Sequence, residues 1–526
     1  MRLSSPHKDW RFDLISVMDV RAVGLDQLLT NLWLRVEHDN RQWRKRGSGA
    51  QRVVELAHQM ERRGNDRFRD FVDEPGVAEA WLRADLLRVF KRAPEEFSVA
   101  RPLHSLAARV RNPRRDDDSN ASSVIYGWLE HCGQDLLPVL KQFIDPSREA
   151  EELDLASLGL ALLGEDQEPD VTVGEPRPAP APTCYGEAAT YVEDLRRLLA
   201  YQGQMPRSVL VEHIARLTGL HLGIHYLRLF RIVVDVEQRQ GARRTCESCS
   251  DQRVPDGPCP YRLELFVDCG EDARSGTAKV AEESWAMQED FLARYVRAHL
   301  ALKKLSEVAE RVSPRNKVLP VATLEDVAAI ERIARRERME EVFGDRIDDL
   351  LRQAKDDDEQ RIQSLIDEYR QLGLSSFRTY VGILAQLSER RWWNYHRQLL
   401  DYLFLKNTSQ GFLRQPLGGR RRRRAGMTAG LLETLVLVAV VTPTDRGFET
   451  RPMRVDRFLD WLELRYGLLI AKPLPESASD PVAVSIASDN ADRFRRRLRE
   501  TGLYVDLSDA FLAQTIRPRI HLRGGV

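Results

Sequence analysis

Apolar residues recur at intervals of three and four over much of the chain, the spacing that gathers them on one face of a helix. LDQLLTNLWLRVEH from Leu25 and VAEAWLRADLLRVFKR from Val77 carry this pattern, and residues 1–163 read as a helical N-terminal domain. RNPRRDDDSNASS (Arg111–Ser123) interrupts it as an exposed loop. GEDQEPDVTVGEPRPAPAPT, residues 164–183, is rich in Pro and acids and poor in large apolar residues. Such a composition predicts an extended linker and a domain boundary.

Residues 184–312 read as a mixed α/β domain. RSVLVEHIARLTGLHLGIHYLRLFRIVVDVEQR, from Arg207, predicts one long helix or two. YRLELFVDC (Tyr261–Cys269) alternates with the period of a strand, and SWAMQEDFLARYVRAHLALKKLSEVAERV returns to helix. Residues 313–417 form a further helical domain. There Thr323 stands three residues before Asp326, a capping-box start, and KDDDEQ (Lys355–Gln360) reads as a solvated helix face. No internal repeat is evident.

Residues 418–526 form a compact C-terminal unit. Helices are expected at Met427–Val441, Arg454–Tyr466 and Asn490–Thr501, the last capped by Asp489 or Asn490 and stopped by Gly502. Strands are expected at GLLIAK, GLYVDL and TIRPRIHL. Three helices followed by a two-stranded tail is the order of a winged helix, which the interposed GLLIAK strand and PLPESASDP loop fit imperfectly. The predicted class is therefore mainly α and multidomain, with small β elements in the middle domain and a winged-helix-like C-terminal domain.

Composition narrows the function. The chain has 526 residues with 42% hydrophobic content, enough for three or four domains. Lys+Arg and Asp+Glu both total 80, so no global field points to nucleic acid or membrane; a local patch must do so. Of the 80 basic residues 69 are Arg, a bias that a GC-rich genome produces and that lowers the information in any single Arg. The N-terminus lacks the apolar core of a secretory signal. The longest apolar run, Leu431–Val441, contains Glu433 and falls short of the roughly 20 residues a spanning helix needs. A soluble cytoplasmic protein with no membrane partner is expected. Walker A, Gly-x-Ser-x-Gly, His-Glu-x-x-His, kinase and deaminase signatures are missing. That favours a binding or scaffolding role, with a metal nuclease built from scattered carboxylates left open.

Of six cysteines, four fall within 24 positions: Cys246, Cys249, Cys259 and Cys269. Cys-x-x-Cys supplies two thiolates from one tight turn, as a structural zinc site requires. The second pair is not Cys-x-x-Cys, and the strand phase places Cys269 with Tyr261, Leu263, Leu265 and Val267 on an apolar face, where it serves equally well as core. His221 and His225, four apart on the preceding helix, are alternative ligands. Structural zinc, no metal and a catalytic metal all remain open.

Three stretches concentrate arginine. GGRRRRRAG (Gly418–Gly426) sets Arg420, Arg421, Arg422, Arg423 and Arg424 between glycines, a mobile tether able to neutralise phosphates or a plain interdomain linker. NADRFRRRLRETG (Asn490–Gly502) places Arg493, Arg496 and Arg497 on one helical face opposite Ala491, Phe494 and Leu498. Residues 418–526 carry 19 Arg+Lys against 13 Asp+Glu, which suits DNA backbone contact. ERRWWNYHRQLLDY (Glu389–Tyr402) interleaves Arg with aromatics, as a stacking surface or as packing.

GLLETLVLVAVV, RFLDWLELRYGLLI and RFRRRLRETGLYVDLSDA, followed by IRPR, resemble proteins encoded in bacterial anti-phage defence islands. The nearest group is an accessory component of methylation-associated defence systems, which sit beside a DNA methyltransferase. The resemblance covers the last hundred residues and carries over no catalytic residue. It implies a multiprotein defence complex acting on DNA. Three readings follow: a non-enzymatic DNA- and protein-binding subunit, a metal-dependent effector enzyme, or a protein scaffold without DNA binding.

Overall fold

The computed structural model describes residues 10–20, 23–45, 76, 80, 87–88, 99–100, 102–105, 118–145, 171–241, 259–313, 319–354, 356–416, 422–504 and 515–522. These residues are mainly helical, with short strand pairs between the helices. Helices α1 (Leu25–Glu37), α2 (Ala121–Cys132), α3 (Leu136–Ile144) and α4 (Tyr185–Leu199) make an N-terminal layer in which α1 packs on α2 and α3, and α2 on α4. Beneath it runs α5 (Arg207–Gln238), one unbroken helix. It touches α1 and α4 on one side and α6 (Gly276–Val312) and α10 (Ser376–Leu403) on the other. Helices α7 (Leu324–Ile333), α8 (Arg336–Gln353) and α9 (Asp356–Gln371) complete the α6–α10 side. Buried from several directions, α5 has little polar face, and even its His213, Arg216, His221, His225 and Arg228 are buried.

Local signals set many of the ends. Thr323 Oγ1 accepts from Asp326 N at 3.1 Å while Asp326 Oδ2 accepts from Thr323 N at 3.0 Å, the reciprocal box that starts α7. Ser275 caps α6 by accepting from Ala278 N. Asp118 is buried and accepts from Asn120 N and Ser122 N, so the end of the predicted exposed loop is instead the ordered start of α2. Leu87–Arg88 (β2), inside a segment read as helical, pairs antiparallel with Val99–Ala100 (β3). Within the Pro-rich segment, Val171–Pro176 (β4) is extended and pairs antiparallel with Arg41–Lys45 (β1).

In YRLELFVDC only Leu265–Phe266 (β5) forms regular strand. From Leu265 on both phases of the alternation are buried, Leu265 and Val267 on one and Phe266 and Asp268 on the other, while Glu264 is exposed. Leu263, Leu265 and Val267 pack into the main core, and Phe266 packs on the other face with Ala281, Leu474 and Ala487. Ser284 Oγ of α6 accepts from Phe266 N, and β11 (Leu468–Leu469) pairs in parallel, Leu468 opposite Leu265. Further on, β6 (Leu413–Arg414) pairs with β7 (Arg424–Ala425).

The C-terminal unit keeps the expected helices with shifted ends. Helix α11 (Ala429–Ala439) stops where the hairpin of β8 (Val441–Thr444) and β9 (Gly447–Thr450) begins. Then come β10 (Met453–Arg454), α12 (Val455–Tyr466), β11 and α13 (Pro481–Glu500). The last starts well before Asn490, because Pro481 sits at its first position and Asp480 Oδ1 accepts from Val482 N. Asn490 is thus not a cap. It is buried mid-helix, donating to Val267 O and Ile470 O and accepting from Cys269 N. Gly502 closes the helix at φ +68°, as expected. Strand β12 (Thr515–Ile516) pairs antiparallel with β10 and bridges to Tyr504.

One continuous buried cluster runs from Trp10 to Leu522. Trp10 is clamped between His299 of α6 and Trp392 of α10, with ring centroids at 3.9 and 4.3 Å. Within Glu389–Tyr402, Trp392 and His396 are thereby engaged in packing and Arg397 lies over Trp393 at 4.2 Å, whereas Tyr395 and Tyr402 are exposed.

Candidate functional site

Cys246 and Cys249 lie outside the described residues. Cys259 is partly buried against the core. Cys269 is buried, its Sγ 3.8 Å from Val267 O, and burial raises its thiol pKa far above the ordinary 9.0. That keeps the thiol neutral unless a metal ion displaces its proton. Among the described residues no group of three or more His, Cys, Asp or Glu could hold a metal ion.

His221 is occupied elsewhere. Its Nδ1 meets Glu187 Oε1 at 2.7 Å and its Nε2 meets Asp194 Oδ2 at 3.1 Å, so neither ring nitrogen is left for a metal. Glu187 also pairs with Arg228. Asp194 also takes Arg465 Nε at 2.8 Å and the Tyr466 hydroxyl at 2.6 Å. Burial opposes charge on His221, but its hydrogen bonds to Asp194 and Glu187 outweigh this and raise its pKa. Burial likewise opposes charge on Asp194, yet Arg465 and then His221 bring it down to about 2. This sealed network locks α4, α5 and α12 together. Spacing offered His221 as an alternative ligand; nothing local announced that both its partners were carboxylates of α4.

The run Arg420–Arg424 divides. Arg420 and Arg421 lie outside the described residues, and Arg422 is exposed. Arg423 and Arg424 are buried, which corrects the expectation of a mobile tether over those two. The pairing of β7 with β6 turns them inward. Arg423 meets Asp401 in a bidentate pair at 2.8 and 2.6 Å, and Arg424 Nε reaches Asp268 Oδ2 at 3.0 Å. Neither side chain is available to a duplex backbone in this arrangement.

The α13 arginines divide as well. Arg496 is exposed, Arg493 is half-buried, and Arg497 is buried with Nη2 3.1 Å from Glu271 Oε1. Arg497 is therefore also corrected as a surface contact. The inward pair meets the loop after β5. Arg414 Nη1 donates to Gly270 O at 3.1 Å, and Arg493 lies across Gly270, where a Cβ would stand 2.6 Å from its Nη1. Asp268 anchors the loop by accepting from Arg424, from Thr277 Oγ1 at 2.8 Å and from Gly270 N at 2.9 Å. Burial, then the charge of Arg497, lowers the pKa of Arg414. Asp268, Glu271 and Arg414 carried no motif. The only sequence signal was that Asp268 occupies a polar phase of a strand whose neighbours are all apolar.

Fold and site together define a mainly helical protein in which cationic side chains of the C-terminal unit close onto the middle of the chain. A family model described as methylation-associated defense system protein MAD7 matches residues 5–520, and the chain belongs to that family. The match extends the C-terminal resemblance over nearly the whole chain. No match was found among curated proteins, and none among solved structures.

Proposed function

We propose that the chain is a DNA- and protein-binding subunit of a bacterial methylation-associated anti-phage defence complex, in a non-catalytic role. Family membership supports the defence setting and partners from the same system. The DNA reading is carried by Arg496, an outward cation on α13. Three helices α11, α12 and α13, with the β8–β9 hairpin and β10 after the first and β11 after the second, followed by Tyr504 and β12 bridged through Ile516, support a winged-helix-like unit with α13 as the groove-facing helix. Exposed Arg422 adds a second contact. Among the described residues no helix is long and apolar enough to cross a membrane.

Duplex binding by the Arg422→Glu/Arg496→Glu protein tests this reading. Each lost phosphate contact lowers the log–log salt slope by about 0.9, so two should lower it by roughly 2, with weaker affinity on every sequence. An unchanged slope and affinity would leave the protein-scaffold reading in its place. A structural zinc held by Cys246, Cys249 and Cys259, with Cys269 as fourth ligand, is proposed alongside; the bonds of His221 to Glu187 and Asp194 speak against His221 in that place. Elemental analysis giving well under one zinc per purified chain overturns it.

A further inference from the structure

The inward arginines raise a separate question from the outward ones. Arg414, Arg424, Arg493 and Arg497 converge on the Asp268–Glu271 loop, where the anions in contact among the described residues are Asp268 and Glu271. Four guanidinium groups against two carboxylates leave an excess of about two positive charges. Two of the four are more than nine-tenths buried, and each keeps an N–H with no partner among the described residues: Nη1 of Arg424 and Nε of Arg497. A buried cationic donor without an acceptor is costly and rare in a finished core. The deficit here is in acceptors and in negative charge together.

Glu271 shows what kind of group fits. Its carboxylate sits on buried Arg497 at 3.1 Å, yet its own side chain is 83% exposed. An exposed carboxylate is held weakly and gives way to a better anion. Half-buried Arg414 and Arg493 stand beside it, so the cluster reaches the surface at this edge. Planar guanidinium forks match the oxygen geometry of phosphate. We infer that Arg414, Arg493 and Arg497, backed by Arg424, form an oxyanion site between α13 and the Asp268–Glu271 loop that takes a phosphate group, with Glu271 as the internal occupant it displaces. The inference does not depend on duplex binding, because it uses inward side chains rather than Arg422 and Arg496. The phosphate belongs either to a free small molecule or to the end of a nucleic-acid strand.

Thermal unfolding of the full-length chain is measured against inorganic phosphate, with sodium chloride matched for ionic strength. Phosphate should raise the melting temperature saturably beyond chloride. Arg414→Met and Arg497→Met should each weaken the apparent affinity about tenfold, as loss of a charged hydrogen bond does. Glu271→Gln, which removes the competitor without touching the core, should tighten it several-fold, while Arg496→Met leaves it unchanged. Should Arg497→Met fail to fold, Glu271→Gln still decides. Single-stranded oligonucleotides with a 5′-phosphate or a 5′-hydroxyl identify the source: a preference for the phosphorylated strand assigns a strand end, equal binding a free phosphate compound. Stabilisation by phosphate no greater than by chloride, or a Glu271→Gln protein with unaltered affinity, would overturn the site and leave a purely structural arginine cluster.

Discussion

Asp194→Asn tests the charge network under α5 most directly. The buried carboxylate accepts from His221 at 3.1 Å, Arg465 at 2.8 Å and Tyr466 at 2.6 Å. Its pKa falls from 3.8 to about 2 on folding, and at 1.36 kcal/mol per unit this is on the order of 2 kcal/mol. An amide loses that, and its N–H has no acceptor in Arg465 or in protonated His221. Arg465 then keeps Glu193 at 2.9 Å, and His221 keeps Glu187. Breaking a buried pair from one side costs about 3–5 kcal/mol, which is the expected loss at pH 6 from urea unfolding, with the denaturant slope unchanged. The sign of the pH dependence follows from both partners. The raised pKa of His221 gives stability that is full below 6.5 and is lost as pH rises through the folded value. The lowered pKa of Asp194 gives stability present above 3.8 and lost as pH falls toward about 2. The gap between wild type and variant should therefore be widest near pH 5–6 and narrow in both directions. A loss below about 1 kcal/mol, or a gap independent of pH, would refute the network as a lock.

Trp10→Ala removes a ring clamped between His299 and Trp392; it should cost about 3–5 kcal/mol in chemical unfolding, and a cost under 1 would mean the N-terminal segment is loosely docked. Gly467 sits at φ +75°, with an added Cβ 1.9 Å from Leu263 O, whereas Gly502 at φ +68° has nothing within 4 Å. Gly502→Ala should cost only the left-handed backbone penalty, about 1 kcal/mol, and Gly467→Ala clearly more, because it also parts β11 from β5; equal costs would show that the close approach is immaterial. Residues 418–526 expressed alone would strip Leu468 and Leu469 of their β5 partner and Asn490 of Val267 and Cys269. That fragment should melt without cooperativity and give a poorly dispersed amide spectrum; a sharp transition and a dispersed spectrum would contradict the expectation.

The long helices were legible because their information is local. The apolar spacing of α1, α5 and α6 and the Thr323–Asp326 box specify structure within a few residues. Errors arose where a distant partner decided the outcome. Leu87–Arg88 has helical spacing but pairs with Val99–Ala100. The alternation of Tyr261–Cys269 suggests a half-solvated strand, but Leu474 and Ala487, two hundred residues on, cover Phe266 on the second face, while Glu264 on that face stays exposed. Asn490 resembles a cap in isolation. Its side chain is consumed instead by the carbonyls of Val267 and Ile470 and the amide of Cys269.

The same logic explains why arginine content was a poor guide to its use. Five consecutive arginines between glycines look uniformly solvated, yet the backbone pairing of Arg424–Ala425 with Leu413–Arg414 carries Arg423 and Arg424 to acids on α10 and beside β5. On α13 the three arginines share a helical face, but the face spans the boundary between core and solvent, so Arg497 is buried while Arg496, one residue away, is exposed. The local excess of positive charge in the C-terminal unit is therefore not a surface property alone. Part of it neutralises Asp268 and Asp401 and rivets that unit to the middle of the chain. A variant of a buried arginine would weaken binding of any ligand by loosening the fold as well as by removing a contact, so among the candidate contacts the exposed Arg422 and Arg496 are the cleaner test of a duplex, and Glu271→Gln, which spares the core, is the cleanest test of the inward cluster.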